Sequence, residues 1–162
     1  MKMENSIDDK IDELELAMQD YEPVNCPLTH TFTPGLYTRT IFMPAGTLIT
    51  SLIHKTEHQF IISAGVALVK IKEGEWKRLA APHIGITKSG TRRILYIEAD
   101  CLWTTCHATE IQPDDETEES ILKAVSLIEE RIIEVHENKL IGGVVKNNII
   151  SQSIDNECRL SP

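Results

Sequence analysis

The chain has 162 residues, a formal net charge of −9 and 41% hydrophobic residues, which suits one globular domain with a buried core. An acidic pI near 5.1 argues against a general nucleic-acid binder, since such proteins present clustered basic residues. No apolar stretch reaches the roughly 20 residues of a membrane-spanning helix, and the N-terminus lacks the apolar core of a signal peptide. The sequence therefore predicts a cytoplasmic protein with no membrane or nucleic-acid partner. Its four cysteines form no CxxC pair, and we expect reduced thiols.

The first predicted element is a helix over residues 5 to 21. Asn5 or Ser6 can cap it, and acidic residues fill its first turns. The apolar residues at helical spacing are Ile7, Ile11, Leu14 and Met18. Pro23 and Pro27 follow the helix and begin an extended segment. We therefore assign residues 1–22 to an N-terminal helix.

Residues 23–111 contain short β-type runs separated by turn residues, and we assign them to a single β-barrel domain. The predicted strands cover residues 29–33, 36–43, 47–54, 58–63, 66–71, 75–79, 84–87, 93–98 and 101–108. Turn signals at intervals of about 8 to 12 residues are typical of a sandwich or a barrel.

Residues 112–162 are predicted to form a C-terminal helix and tail. The helix is expected over residues 117 to 138, after an acidic linker. Its apolar face is wide enough to dock on the barrel or on a second copy of the chain. That face contains Ile121, Leu122, Val125, Ile128, Ile132, Ile133 and Val135. The tail either adds a strand at 143–150 or lacks a fixed structure.

The segment from Pro44 to Gly65, PAGTLITSLIHKTEHQFIISAG, places two histidines four residues apart between glycines. In a strand, residues i, i+2 and i+4 share a face, so His54, Thr56 and His58 would point the same way. Two neutral imidazoles that converge are good ligands for a transition metal. The same histidines could instead line a metal-free pocket, and a metal would need a third ligand.

This segment resembles the first motif of the cupins, G-x5-H-x-H-x3-E-x6-G. When the first glycine is aligned with Gly46, the last falls on Gly65. The three ligand positions then fall on Leu52, His54 and His58. Two of the three positions therefore keep a residue that can bind a metal.

The second cupin motif, G-x5-P-x-G-x2-H-x3-N, fits more weakly. Its turn glycine falls on Gly90, but Arg93 stands in place of the ligand histidine and Ile97 in place of the asparagine. The stretches HTFTPGLYTRTIFMPAGT, HKTEHQFIISAG and WTTCHATE are similar to small single-domain cupin-like proteins encoded by tailed phages and prophages. Residues 29 to 109, about half the chain, carry the resemblance.

The resemblance implies a mainly β fold, a cupin-type double-stranded β-helix or jelly-roll barrel, with flanking N-terminal and C-terminal helices. Such barrels hold their ligands on the inner face at one end. In CLWTTCHAT, strand alternation puts Trp103, Thr105 and His107 on one face, which makes His107 a candidate third ligand beside His54 and His58. Divalent Zn, Fe, Mn and Ni all suit three histidines with open positions. Cupin-like proteins commonly pair, so we expect a homodimer.

Further residues are candidates for the interior of the barrel. Glu57 and Tyr96 are candidates for proton transfer, although strand alternation turns Glu57 away from His58 unless a bulge intervenes. A guanidinium at Arg93 could bind a carboxylate or a phosphate, and it would repel a metal cation. The candidate ligand-binding residues are Arg39, Thr56, Arg93 and Trp103.

Two functions follow from these observations. In the first, the chain is a metal-binding enzyme of unspecified reaction that acts on a small anionic molecule in the barrel. In the second, it is a non-catalytic cupin module that binds a small ligand or a protein partner, as a phage accessory or structural protein in the host cytoplasm.

Overall fold

A computed structural model describes residues 6–71, 75–136, 139–140 and 143–146 of the chain. The helices are α1 (Ile7–Met18) and α2 (Glu118–Ile132). The strands are β1 (Leu28–Thr33), β2 (Leu36–Met43), β3 (Thr47–Thr50), β4 (His58–Lys70), β5 (Trp76–Ala80), β6 (His83–Thr87), β7 (Ile94–Ala108), β8 (Val135–His136), β9 (Lys139–Leu140) and β10 (Gly143–Lys146).

Two long strands, β4 and β7, run through both halves of the main sheet. The C-terminal part of β7 lies between β2 and the N-terminal part of β4, and its N-terminal part lies between β3 and the C-terminal part of β4. The strand order is β1-β2-β7-β4-β6 in one half and β10-β3-β7-β4-β5 in the other. All of these pairs are antiparallel. Because β4 and β7 run through both halves, these two continuous strands join the halves.

The two halves meet at a bulge where Gly65 lies against Asp100. The register of β4 and β7 shifts three times between Ile62 and Ala67. Gly65 has a φ of +86°, and a Cβ placed there would lie 2.1 Å from the carbonyl oxygen of Asp100. A side chain is therefore excluded by backbone conformation and by contact. The predicted breaks at 64–65 and 99–100 are bends within β4 and β7, because the strands stay paired on both sides of them.

One hydrophobic core lies between the halves. Its buried members come from both halves, which shows that their inner faces pack against each other. They are Met43, Ile49, Phe60, Ile62, Ala67, Val69, Leu95, Ile97, Cys101 and Trp103. Two such halves, folded over one core and joined by long bent strands, form a double-stranded β-helix. The predicted fold class, mainly β with a helix before and after the barrel, is confirmed.

Helix α1 packs on the outer face of the half that contains β3. Ser6 caps it in a capping box with Asp9, which explains why it begins at Ile7. Ile11 and Met18 are buried against Leu48, Leu68 and Ile94 of the barrel. The helix is shorter than the predicted span of 5 to 21.

Helix α2 ends at Ile132, so its predicted continuation over residues 133–136 is wrong, and residues 137–138 lie outside the described part of the chain. Ile133 is extended and forms an isolated β-bridge with His54. Two backbone hydrogen bonds of 2.7 and 2.8 Å join residues 53–55 to residues 132–134. The chain leaves the helix because its backbone pairs with this neighbouring segment. Upstream, Val125 and Ile128 pack on Tyr37 of β2.

Two other predicted strands differ from the structure. The strand predicted over 47–54 ends at Thr50, because residues 51–57 form the bend that leads into β4. A strand at 143–150 is one of the two predicted alternatives for the tail, and the structure has a strand, β10, over the first four of these residues. Residues 147–162 lie outside the described part of the chain. No helix among the described residues is long and apolar enough to span a membrane.

Candidate metal centre

Three histidines from separate elements converge inside one end of the barrel. His54 lies between β3 and β4, His58 begins β4, and His107 lies near the end of β7. The ring centroids are 4.4 Å apart for His54 and His58, 4.7 Å for His58 and His107, and 5.3 Å for His54 and His107. One ligand nitrogen from each ring can be chosen so that all three lie within 4.8 Å of one another.

His54 and His58 converge for a different reason from the predicted one. Alternation along a single strand would also turn Thr56 inward, but Thr56 is exposed in the bend between β3 and β4. Its carbonyl oxygen instead accepts a hydrogen bond from Nδ1 of His58 at 3.2 Å. The ring of His54 is positioned by the bridge between its backbone and Ile133. Thr56 therefore orients a histidine through its backbone, and its side chain does not join the site.

One buried ring nitrogen of His58 and one of His107 lack protein partners. Because Nδ1 of His58 donates to a carbonyl, its Nε2 keeps a lone pair, and this buried atom has no hydrogen-bond partner. Nε2 of His107 lies 3.0 Å from Oγ1 of Thr105, and its buried Nδ1 also has no partner. A histidine that binds a metal commonly holds its other ring nitrogen on a backbone or side-chain oxygen, as both rings do here.

The electrostatics of the cluster keep the imidazoles neutral. Burial is the main cause that lowers the pKa of His54 to about 3, and the positive charge that His58, His107, Arg39 and Arg93 can carry contributes to the same shift. Burial also lowers the pKa of His107 to about 4. The pKa of His58 is lowered mainly by burial, although its hydrogen bond to the Thr56 carbonyl acts in the opposite direction. Neutral imidazoles are the form that binds metal.

The three residues fit a divalent transition metal. His58 and His107 expose only 5% and 3% of their surface, so their unpartnered nitrogens are costly without a ligand. Metal–nitrogen bonds of about 2.0–2.1 Å bring two nitrogens to roughly 3–4 Å from each other. The candidate nitrogens, which lie within 4.8 Å of one another, are close to that spacing.

A cavity of about 300 Å³ opens beside the histidines. Its walls are largely apolar and are formed by Ile41, Met43, Ile49, Leu52, Leu95 and Trp103. The polar lining consists of Arg39, Thr50, Ser51, His54, His58, Arg93 and Thr105. A mostly apolar cavity with a few convergent polar groups is the usual form of a small-molecule site.

Three of the predicted ligand-binding residues lie on this cavity. Arg39 also forms an ion pair with Glu129 of α2, at 3.4 Å. Arg93 is buried, with 7% of its surface exposed. Trp103 stacks on Phe60 with ring centroids 4.5 Å apart, so it is at once part of the core and part of the cavity wall.

The structure does not bring the two candidates for proton transfer to the cavity. Glu57 is exposed and pairs with Lys88 at 3.1 Å, as strand alternation relative to His58 suggests. Tyr96 points to the opposite face of β7 and packs in the cluster beneath α1. The position of Tyr96 follows from the alternation of side chains along β7, whereas Glu57 lies in the bend before β4.

Several residues that shape the site were not identified from the sequence. Thr87 accepts a hydrogen bond from Arg93, and Glu129 pairs with Arg39 from a distant helix. Residues 132–134, at the end of α2, form backbone hydrogen bonds with the residues on either side of His54. No local pattern could reveal these contacts, because each joins segments that are brought together only by folding.

Comparison with known proteins gives structural neighbours but no sequence family. No protein-family model and no curated protein matches the chain. The structure is similar to an uncharacterized conserved protein with a double-stranded beta-helix domain from Klebsiella pneumoniae, with a TM-score of 0.45, 17% identity and coverage of 56% of this chain and 81% of that one. The structure is also similar to an RmlC-like cupin family protein from Methanocaldococcus jannaschii, with a TM-score of 0.44 and 12% identity. That match covers 56% of this chain and 89% of the other. Ectoine synthase from P. lautus is similar with a TM-score of 0.45 and 10% identity, over 65% of this chain and 76% of that one. With identities this low, function has to be inferred from the cavity itself.

Proposed function

We propose that this chain binds one divalent transition metal through His54, His58 and His107 and presents it to a small molecule in the adjacent cavity. The convergence of three neutral imidazoles carries the proposal, because two of them hold buried nitrogens with no protein partner. Three protein ligands are also the number typical of metal sites that leave a position for substrate.

The type of donor narrows the choice of metal. Imidazole nitrogen suits Zn²⁺, Fe²⁺ and Ni²⁺, whereas Mn²⁺ prefers sites with carboxylate oxygens. No aspartate or glutamate lines the cavity in the described ranges of the chain. We therefore favour Zn²⁺, Fe²⁺ or Ni²⁺ over Mn²⁺.

When bound, a metal of this kind supplies Lewis-acid polarisation of an oxygen or lowers the pKa of a bound water. The protein contributes the rest of the site. The carbonyl of Thr56 holds the ring of His58, and the end of α2 holds the backbone of His54. The apolar walls limit the access of water and leave room for an organic molecule.

A second function, ligand binding without catalysis, is favoured by one observation. Glu57 and Tyr96, the candidates for proton transfer, lie away from the cavity. Under this alternative the same metal and cavity bind a small molecule without turning it over. Recovery of an unchanged ligand from the metal-loaded protein after prolonged incubation favours this second function, and formation of a product favours the enzyme.

Metal binding is tested on the full chain, purified without added metal, stripped with a chelator and desalted. Titration with Zn²⁺ is expected to reach one equivalent, and Co²⁺ is expected to give the visible absorption of a nitrogen-rich site. His58→Gln and His107→Gln should each weaken Zn²⁺ binding by at least about tenfold. His83→Gln is the matched control, because His83 lies away from the cluster and contacts Phe60.

Less than about a tenth of an equivalent of metal after reconstitution would refute the proposal. An equal loss of affinity in the His83 variant would also refute it, because the effect would then not depend on the cluster. The homodimer, the phage origin and the cytoplasmic location stay predictions from the sequence.

A further inference from the structure

Arg93 is a buried cation with no acidic partner among the described residues. Only 7% of its surface is exposed. Its Nη2 donates to Oγ1 of Thr87 at 2.8 Å, while its Nε is buried and has no hydrogen-bond partner. The guanidinium carbon lies 5.3 Å from the ring centroids of both Phe60 and Trp103. In the part of the chain that the structure describes, no carboxylate contacts it.

Two neighbouring arginines, Arg39 and Arg92, have carboxylate partners. Arg39, on the same cavity, pairs with Glu129 at 3.4 Å. Arg92, the next residue in the chain, points to the other face of the sheet and pairs with Asp12 and Glu15 of α1 at 2.7 and 3.1 Å. Arg39 and Arg92 therefore pair with carboxylates, whereas Arg93 has no carboxylate partner among the residues that the structure describes.

An unpaired buried charge is expensive to maintain. Burial lowers the pKa of Arg93 only to about 10, so the guanidinium stays charged at neutral pH. Contact with the two aromatic rings compensates part of the cost, since a cation near the face of an aromatic ring is attracted to it. The remaining cost is offset when an anion enters the cavity and accepts hydrogen bonds from the guanidinium.

We propose that the cavity binds a small organic carboxylate, with its carboxylate group on Arg93 and its apolar body against Ile49, Leu95 and Trp103. This inference rests on the proposed function, because it names the class of molecule that shares the cavity with the metal. The planar guanidinium matches the geometry of a carboxylate, to which it can donate two parallel hydrogen bonds.

The lining favours an organic carboxylate over inorganic phosphate. Both anions suit a guanidinium, but phosphate has no apolar body and would leave the largely apolar walls without a partner. The charge of Arg39 is already offset by Glu129, which leaves Arg93 as the cation with spare capacity for an anion. An alkyl or aromatic body gains free energy from the same walls, because its apolar surface is removed from water.

The experiment uses the full chain in two preparations, one metal-free after chelation and desalting and one loaded with Zn²⁺. Acetate, butyrate and hexanoate are compared with hexanamide and inorganic phosphate by calorimetric titration and by thermal unfolding. We expect affinity to rise from acetate to hexanoate, and we expect hexanamide and phosphate to bind at least about tenfold more weakly than hexanoate. Equal binding of hexanoate and hexanamide would overturn the proposal, and so would stronger binding of phosphate.

Substitution of the arginine locates the site. Arg93→Met should weaken hexanoate binding by at least about tenfold in the metal-free protein, because it removes the charge and keeps the bulk. Arg93→Lys, which keeps the charge and loses the fork, should give an intermediate affinity and remains informative if the methionine variant does not fold. Arg78→Met is the matched control, since Arg78 lies on the surface and pairs with Glu98. Unchanged hexanoate binding in either Arg93 variant would overturn the proposal.

The two preparations separate this inference from the proposed function. Hexanoate binding that requires Arg93 in a protein that binds no Zn²⁺ would refute the metal site and support the carboxylate site. Binding of Zn²⁺ at the histidines without any effect of hexanoate would refute the carboxylate site and leave the metal site standing.

Discussion

Replacing Gly65 with alanine tests whether the bulge at the bend of β4 and β7 holds the two halves of the barrel together. The backbone there has a φ of +86°, which costs an alanine roughly 1–2 kcal/mol. The added Cβ would also lie 2.1 Å from the carbonyl oxygen of Asp100 and 2.6 Å from Cα of Cys101, so the paired strands must separate. With this steric cost, we expect Gly65→Ala to lower the free energy of unfolding by about 3–5 kcal/mol.

Gly35 provides a matched control. Its φ is +78°, but a Cβ placed there meets nothing within 4 Å. Gly35→Ala therefore carries only the conformational cost of about 1–2 kcal/mol. Both variants are compared by urea unfolding, with the slope of the transition checked for two-state behaviour. Equal losses in the two variants would refute the idea that close approach to Asp100 sets the bend.

Two further predictions concern the histidine cluster. In the metal-free protein the pKa of His54 is about 3 and that of His107 about 4, against about 6.5 in the unfolded chain, so the unfolded state binds more protons between these values. The free energy of unfolding should therefore fall by about 2 kcal/mol as the pH drops from 6.5 to 4, with allowance for screening by solvent. In urea unfolding, the His54→Gln/His107→Gln double variant should lose less stability over the same pH range. An equal dependence of stability on pH in the two proteins would contradict the lowered pKa values. Glu129→Gln should weaken Zn²⁺ binding by about fivefold, because it leaves the charge of Arg39 uncompensated near the metal ligands. Adding Arg39→Gln should restore the affinity in the same titration, and a Glu129 variant that binds Zn²⁺ normally would exclude this electrostatic role.

Strand periodicity accounts for the parts of the site that could be predicted. In β7, alternate residues face the same side: Trp103 and Thr105 line the cavity, and His107 is buried in the cluster with His54 and His58. The same rule places Tyr96 on the face that α1 covers. A side chain's direction along a regular strand is a local property, so it can be inferred from spacing once the strand is recognised.

The residues around His54 show where local inference ends. The spacing of His54 and His58 predicts convergence on a strand, but the chain bends between them and Thr56 turns outward. Their rings meet because His58 begins β4 while the backbone of His54 pairs with Ile133. Hydrogen bonding to a segment some 80 residues away leaves no mark in the local sequence.

The sequence by itself determined a β-rich domain, its two flanking helices and the shared face of Trp103, Thr105 and His107, because these follow from turn spacing, capping and side-chain periodicity. Only the tertiary structure decided that Gly65 lies against Asp100 and that residues 132–134 pair with the backbone around His54. It also decided that Arg93 is buried with no acidic partner among the described residues, while Arg39 and Arg92 pair with carboxylates. Each of these depends on which distant segments share a contact. Burial and charge pairing are properties of the assembled neighbourhood, and spacing along one strand or helix cannot specify them.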